Sequence, residues 1–169
     1  MTYITIKIYY RFGRNKDFDV KLSTRTRYGL RATLELALQY NKGPLQIKTI
    51  AHRQDISIKY LEQIIAILKS SDFVESVRGP HGGYLLAKNP EEITLYDLFR
   101  VLEGPGAAVE CLENKNYCSR QSRCVARQAW AKLQQAIDGA LKSLTLQELV
   151  NKTKEKGKLP IDVYAGISL

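Results

Sequence analysis

The stretch that decides the fold is "ISIKYLEQIIAILKSSDFVESVRGPHGGYLLAK", residues 56–88. Leu61, Ile64, Ile65 and Leu68 recur at the spacing of one helix face. Ser57 stands before them as a helix cap. After Asp72 the period changes. "FVESV" alternates as a strand does, "RGPHGG" reverses the chain, and "YLLA" reads as a second strand. A helix running straight into a hairpin calls for partners upstream. "STRTRYGLRATLELALQYNKGP", residues 23–44, supplies one helix, capped by Ser23 and stopped by Gly43-Pro44. "LQIKTIAHRQD", residues 45–55, supplies a short second one. Two short helices across a tight polar turn make a helix-turn-helix, and the hairpin adds a wing. The expected fold is mainly α with a small β-hairpin, a winged helix-turn-helix.

Downstream, "TLYDLFRVLEG" reads as a fourth helix capped by Thr94. A polar loop with all three cysteines follows, and then a long amphipathic helix. Its apolar stripe is Ala129, Trp130, Leu133, Ile137, Leu141 and Leu144. "TLQELVNKTKEK" restarts a short helix at Thr145. Residues 21–90 are read as the DNA-binding domain and 91–151 as the cysteine loop with its helices. Residues 1–20 are read as an N-terminal extension and 152–169 as a C-terminal tail.

The net charge of +9 is uneven. Residues 21–90 carry 11 Lys/Arg against 5 Asp/Glu, whereas residues 91–169 carry 11 against 10. A basic half joined to a near-neutral half suits a polyanion-binding module with a second function attached. A solvated basic surface without a partner would carry the same charge. The start, "MTYITIKIYYRFGRNKDFDV", lacks the features of a signal peptide, and no apolar run approaches the ~20 residues of a membrane span. A cytoplasmic protein is expected. No phosphate loop and no Ser/His/Asp constellation argue for an enzyme.

Three groups of residues carry the candidate chemistry. Lys59, Tyr60 and Gln63 lie at the start of the third helix, off its apolar face. In helix-turn-helix proteins that segment meets base edges and phosphates. Arg78 leads a thin turn of Gly79, Pro80, His81 and Gly82, which suits a narrow minor groove. His52, on the second helix, is expected to be structural. Cys111, Cys118 and Cys124 are spaced too widely for a tight zinc knuckle. Thiolates suit iron–sulfur chemistry, and Lys115, Arg120, Arg123 and Arg127 would favour an anionic centre. Free redox thiols and zinc remain alternatives on spacing alone.

Together these motifs resemble the Rrf2 family of bacterial winged-helix regulators. The resemblance rests on "KLSTRTRYGLRA" (21–32), "ISIKYLEQI" (56–64), "VRGPHGGYLLAK" (77–88), the three-cysteine loop and "TLQELV" (145–150). It spans about residues 21–151. It implies a homodimeric repressor in which the helix from about Ser122 to Leu144 is the dimerisation helix, with Ala129, Trp130, Leu133, Ile137 and Leu141 on the pairing face. It implies that two wings straddle a double-stranded operator, with Arg78 in the minor groove. Ser57, Lys59, Tyr60, Glu62 and Gln63 would lie on the DNA, and Glu62 would help choose between operator types. It implies a 2Fe–2S or 4Fe–4S cluster on Cys111, Cys118 and Cys124 that tunes DNA affinity. Alternatives are a cluster-free thiol switch, and a basic adaptor acting through a protein partner.

Three departures stand out. Where the family's cluster regulator has a histidine three residues after its last cysteine, this chain has Arg127. Where the nitric-oxide sensor has an aspartate ligand on its first helix, this chain has Arg27. The first twenty residues match nothing in the family, and a chain beginning at Val20 is expected to fold and bind like the whole. The fourth ligand is therefore sought in Glu110, Glu113, a partner subunit or an exogenous group.

Overall fold

The computed structural model describes residues 4–8, 18–104, 109–114 and 116–155, with side chains from Leu22 onward. Ahead of the winged helix, within and just beyond the expected N-terminal extension, stands a hairpin. Strands β1 (Ile4–Ile8) and β2 (Phe18–Leu22) pair antiparallel, from Ile4 opposite Leu22 to Ile8 opposite Phe18. Both "ITIKI" and "FDVKL" alternate apolar and polar residues, the pattern of a strand.

The winged helix follows as α1 (Thr24–Leu38), α2 (Ile47–Gln54), α3 (Ile58–Ser70), β3 (Val74–Val77) and β4 (Gly83–Leu86). Ser23 caps α1, its Oγ accepting from the Thr26 amide at 3.1 Å. Between α2 and α3 the chain turns within three residues. Asp55 adopts a left-handed conformation (φ 50°, ψ 51°), and the buried Ile56 plugs the corner. Ser57 then caps α3 through the Tyr60 amide at 3.3 Å. Leu61, Ile64 and Leu68 are fully buried and Ile65 nearly so, which bears out the helical stripe that fixed the fold. Full burial of one such side chain stabilises by about 1.5–3 kcal/mol.

Helix α4 (Leu95–Glu103) begins at a capping box, in which Thr94 and Asp97 satisfy each other's amides at 3.2 and 3.1 Å. A short α5 (Glu110–Glu113), a 3-10 turn (Gln121–Arg123), a long α6 (Val125–Lys142) and α7 (Leu146–Glu155) complete the described residues. The Leu146 amide donates to the Ile93 carbonyl and the Leu95 amide to the Leu144 carbonyl, at 2.8 and 2.9 Å. These bonds return α7 to the core, where Leu146 and Val150 are buried.

Two expectations need correction. The long helix runs Val125–Lys142 rather than from about Ser122 to Leu144, because Cys124 is extended (φ −83°, ψ 108°), Ser122 belongs to the 3-10 turn, and Ser143 closes the helix before Leu144. His52, expected to be structural, is exposed on α2. Among the described residues, no helix is long and apolar enough to cross a membrane.

Candidate nucleic-acid interface

Lys59, Glu62, Gln63 and Ala66 are all exposed on α3. Their spacing of three and four residues makes one open stripe, opposite the buried one. Ser57 is exposed, but its hydroxyl is engaged as the helix cap. Tyr60 departs from its expected place on the open face. It is half-buried, edge-on to Tyr28 with ring centroids 6.0 Å apart. Tyr28 in turn has the guanidinium groups of Arg27 and Arg31 at 5.2 and 5.3 Å. Tyr60 therefore ties α3 to α1 before it does anything else.

The wing pairs Val74 with Leu86 through Val77 with Gly83. Its tip is Arg78 to Gly82, closed by the Gly82 amide on the Gly79 carbonyl at 2.9 Å. Gly79 needs its φ of +112°, where other residues are strained. Arg78, Gly79, Pro80 and His81 are all exposed. The tip is as open as the sequence suggested.

What the sequence reading missed lies behind this surface. Glu35, on α1, is buried. Its carboxylate accepts from Gln54 Nε2 at 2.6 Å and Arg53 Nη1 at 3.0 Å. Arg31 donates to the Gln54 side chain and carbonyl, both at 2.6 Å. This network locks α1 to the end of α2, immediately before the turn into α3.

The cysteines sit elsewhere, as three free thiols on one loop. Cys111 lies in α5 and Cys124 directly precedes α6; both are half-buried, and Cys118 is exposed. The Cys111 carbonyl accepts from Gln121 Nε2 at 2.8 Å and Arg127 Nε at 3.1 Å. Arg127 thus clips the first cysteine to the helix that follows the third. Glu110 and Glu113 are exposed at the same place. A hydrogen bond to Glu110, and the nearby negative charge, raise the Tyr117 hydroxyl above its ordinary pKa. Lys115 is outside the described residues. Among the described residues, no three His, Cys, Asp or Glu side chains are gathered so as to hold a metal ion.

Helix α6 has no buried residue among its eighteen. Val125 is 77% exposed and Trp130 43%, and Ala129 is also exposed. Leu133, Ile137 and Leu141 are half-buried. The last two line a groove against α4, together with Tyr96 and Phe99. The expected pairing stripe is therefore divided. Its C-terminal part packs partly within the protomer, and its N-terminal part stands open.

Comparison with known proteins agrees with this architecture. The Rrf2 family model, described as an iron-dependent transcriptional regulator, matches residues 22–152. Protein rrf2 of Nitratidesulfovibrio vulgaris is 40% identical over 131 residues, covering 78% of this chain and 87% of its own. The HTH-type transcriptional regulator IscR of Serratia proteamaculans is 38% identical over 132 residues, covering 78% and 80%. The solved structure of CymR, the global cysteine regulator of B. subtilis, superposes with a TM-score of 0.68 at 37% identity, covering 79% of this chain and 98% of that one. The helix-turn-helix, the wing and α6 fall within the matched span, as does α7 up to Lys152, and the chain belongs to the Rrf2 family of transcriptional regulators.

Proposed function

We propose that this regulator is a cytoplasmic, homodimeric repressor whose operator affinity is tuned by an iron–sulfur cluster on Cys111, Cys118 and Cys124. The observation that carries the reading is the placement of three free thiols on a loop clipped to the start of α6. The donor set fits the group. Three soft sulfur ligands are present, with the cationic side chains of Arg120 and Arg123 exposed on the same loop. The thiols are not gathered, so the loop closes as it binds. When bound, the cluster supplies a centre that reacts to iron supply or oxidants. The protein's own part is to hold it by three sulfurs and to pass the closure of the loop into α6. Arg127 is no ligand, since a guanidinium stays protonated and its Nε is already spent on the Cys111 carbonyl.

On the DNA side, the open stripe of α3 enters the major groove and Arg78 the minor groove. Arg78→Ala is expected to weaken operator binding by about 1–3 kcal/mol, while the melting temperature stays unchanged. Gel-shift titration beside a thermal melt checks this. Unchanged affinity in the folded variant removes the wing from the reading.

Dimerisation uses the open side of α6. Leu133→Asp places a carboxylate in that seam, which costs several kcal/mol if the seam is buried by a twin. The expected result in a sedimentation experiment is a folded monomer with weakened operator binding, since two half-sites need two modules. Ile137→Asp should also disturb the fold, because Ile137 lines the groove against α4. A wild-type protein that sediments as a monomer contradicts the dimer.

The separation of the three thiols also favours a second reading, a thiol-redox switch with no cluster. It predicts that oxidant alone changes operator affinity in iron-free protein. An adaptor acting through a protein partner predicts no steep fall of duplex binding with salt. A DNA-binding dimer predicts such a fall, since each neutralised phosphate releases counterions.

A further inference from the structure

Beyond the burial of Val74 and Leu86 in the core and the Phe73 amide on the Leu68 carbonyl, the wing is tied to the helix-turn-helix by two hydrogen-bonded contacts nearer its tip. The first is a backbone bridge between Leu45, in the segment linking α1 to α2, and Tyr84 on β4. The Leu45 amide donates to the Tyr84 carbonyl and the Tyr84 amide to the Leu45 carbonyl, both at 2.9 Å. The residue before Tyr84 is Gly83, the last ladder partner before the tip. A Cβ at Gly83 would lie 2.5 Å from the Leu45 oxygen, 2.7 Å from its carbonyl carbon and 3.0 Å from the Gln46 nitrogen. All three are backbone atoms, held by the two bridge bonds, so no flexible side chain can swing aside. The second place is a hydrogen bond of 2.7 Å from Lys69 Nζ, near the end of α3, to Ser76 Oγ on β3. One strand of the wing is thus fixed to the base of α2 and the other to α3.

We infer that Gly83 is a positioning residue for operator recognition: its missing side chain lets the Leu45–Gln46 backbone lie against β4, and this contact aims Arg78 relative to α3. The Lys69–Ser76 bond holds the opposite strand in the same setting. An arginine entering a narrow groove must reach it while α3 occupies the neighbouring major groove. A hairpin on an unfixed base would spread its tip over several positions, and only a fraction of those would let both elements bind together. Each binding event would then have to order the wing. The cost would appear in operator affinity and not in the stability of the core. The inference rests on the proposal that the wing binds DNA.

The test is a double-mutant cycle on the full-length protein with a palindromic operator duplex. Gly83→Ala is expected to weaken binding about as much as Arg78→Ala, on the order of tenfold. It should also lower the salt slope as removal of the wing's arginine contact does. In the Arg78→Ala background, Gly83→Ala should add less than about twofold, since the two act through one contact. Ser76→Ala keeps the charge of Lys69, removes the second tie and lies on an exposed position. It is expected to weaken binding by about threefold, again only when Arg78 is present. It decides the matter if Gly83→Ala does not fold. Full, additive losses in the Arg78→Ala background would overturn the inference. So would wild-type affinity in a folded Gly83→Ala protein, or in Ser76→Ala where Gly83→Ala does not fold. If Arg78→Ala itself has no effect, the wing reading falls and the positioning role falls with it.

Discussion

Glu35→Ala is expected to cost about 3 kcal/mol of folding stability. That is a large share of the ~5–15 kcal/mol that holds a domain together. The reason is the company the carboxylate keeps. Its side chain has no exposure, and it accepts from Gln54 and from Arg53. Truncation leaves the buried Gln54 amide without its acceptor and Arg53 without its counter-charge. Arg53 is 39% exposed and can turn towards water, which places the cost near the lower end of the range for a broken buried pair. Glu35→Gln keeps the volume and an acceptor for Gln54, and so should lose less. Because Arg31 also grips Gln54, the damage falls on the junction of α1 and α2, and the turn into α3 moves with it. Urea unfolding checks the stability. A Glu35→Ala variant with the wild-type midpoint would show that the network does not hold these helices together.

The second large effect concerns the loop. Replacing Cys111, Cys118 or Cys124 singly by alanine is expected to abolish the visible absorption of anaerobically reconstituted protein. With arginine at both positions where the family supplies a fourth ligand, only the exposed carboxylates of Glu110 and Glu113 stand beside the thiols on this loop, and neither replaces a soft sulfur ligand. A cluster held by three protein sulfurs is not retained by two. Each variant should also shift operator affinity in the direction that iron removal shifts it. A triple variant that keeps its iron and its regulation would move the site off this loop.

Much of the fold was legible in the sequence because it rests on local period. The Leu61–Leu68 stripe, the Ser23, Ser57 and Thr94 caps and the Gly/Pro turn of the wing each depend on residues within a few positions. What escaped depends on distant partners. Glu35 lies in the apolar run "TLELAL", and nothing there says that Arg53 and Gln54 arrive to satisfy it. Tyr60 reads as a surface residue until Tyr28 is brought beside it. Arg127 reads as a missing ligand, and only the folded loop shows it holding the Cys111 carbonyl. The division of the α6 stripe between α4 and an open side follows from where α4 ends, which no helical period records. The β1–β2 hairpin has a local signal too, since both of its strands alternate apolar and polar residues.

The most direct measurement is the affinity of one palindromic operator duplex for two preparations of the wild-type protein at fixed salt. One is reconstituted anaerobically and one is stripped of iron and kept reduced. The account predicts visible absorption bands in the first alone, and affinities that differ by about 5–150-fold, the usual range of coupling between two sites. Equal affinities for a coloured and a colourless preparation, or a protein that stays colourless after reconstitution, would contradict it.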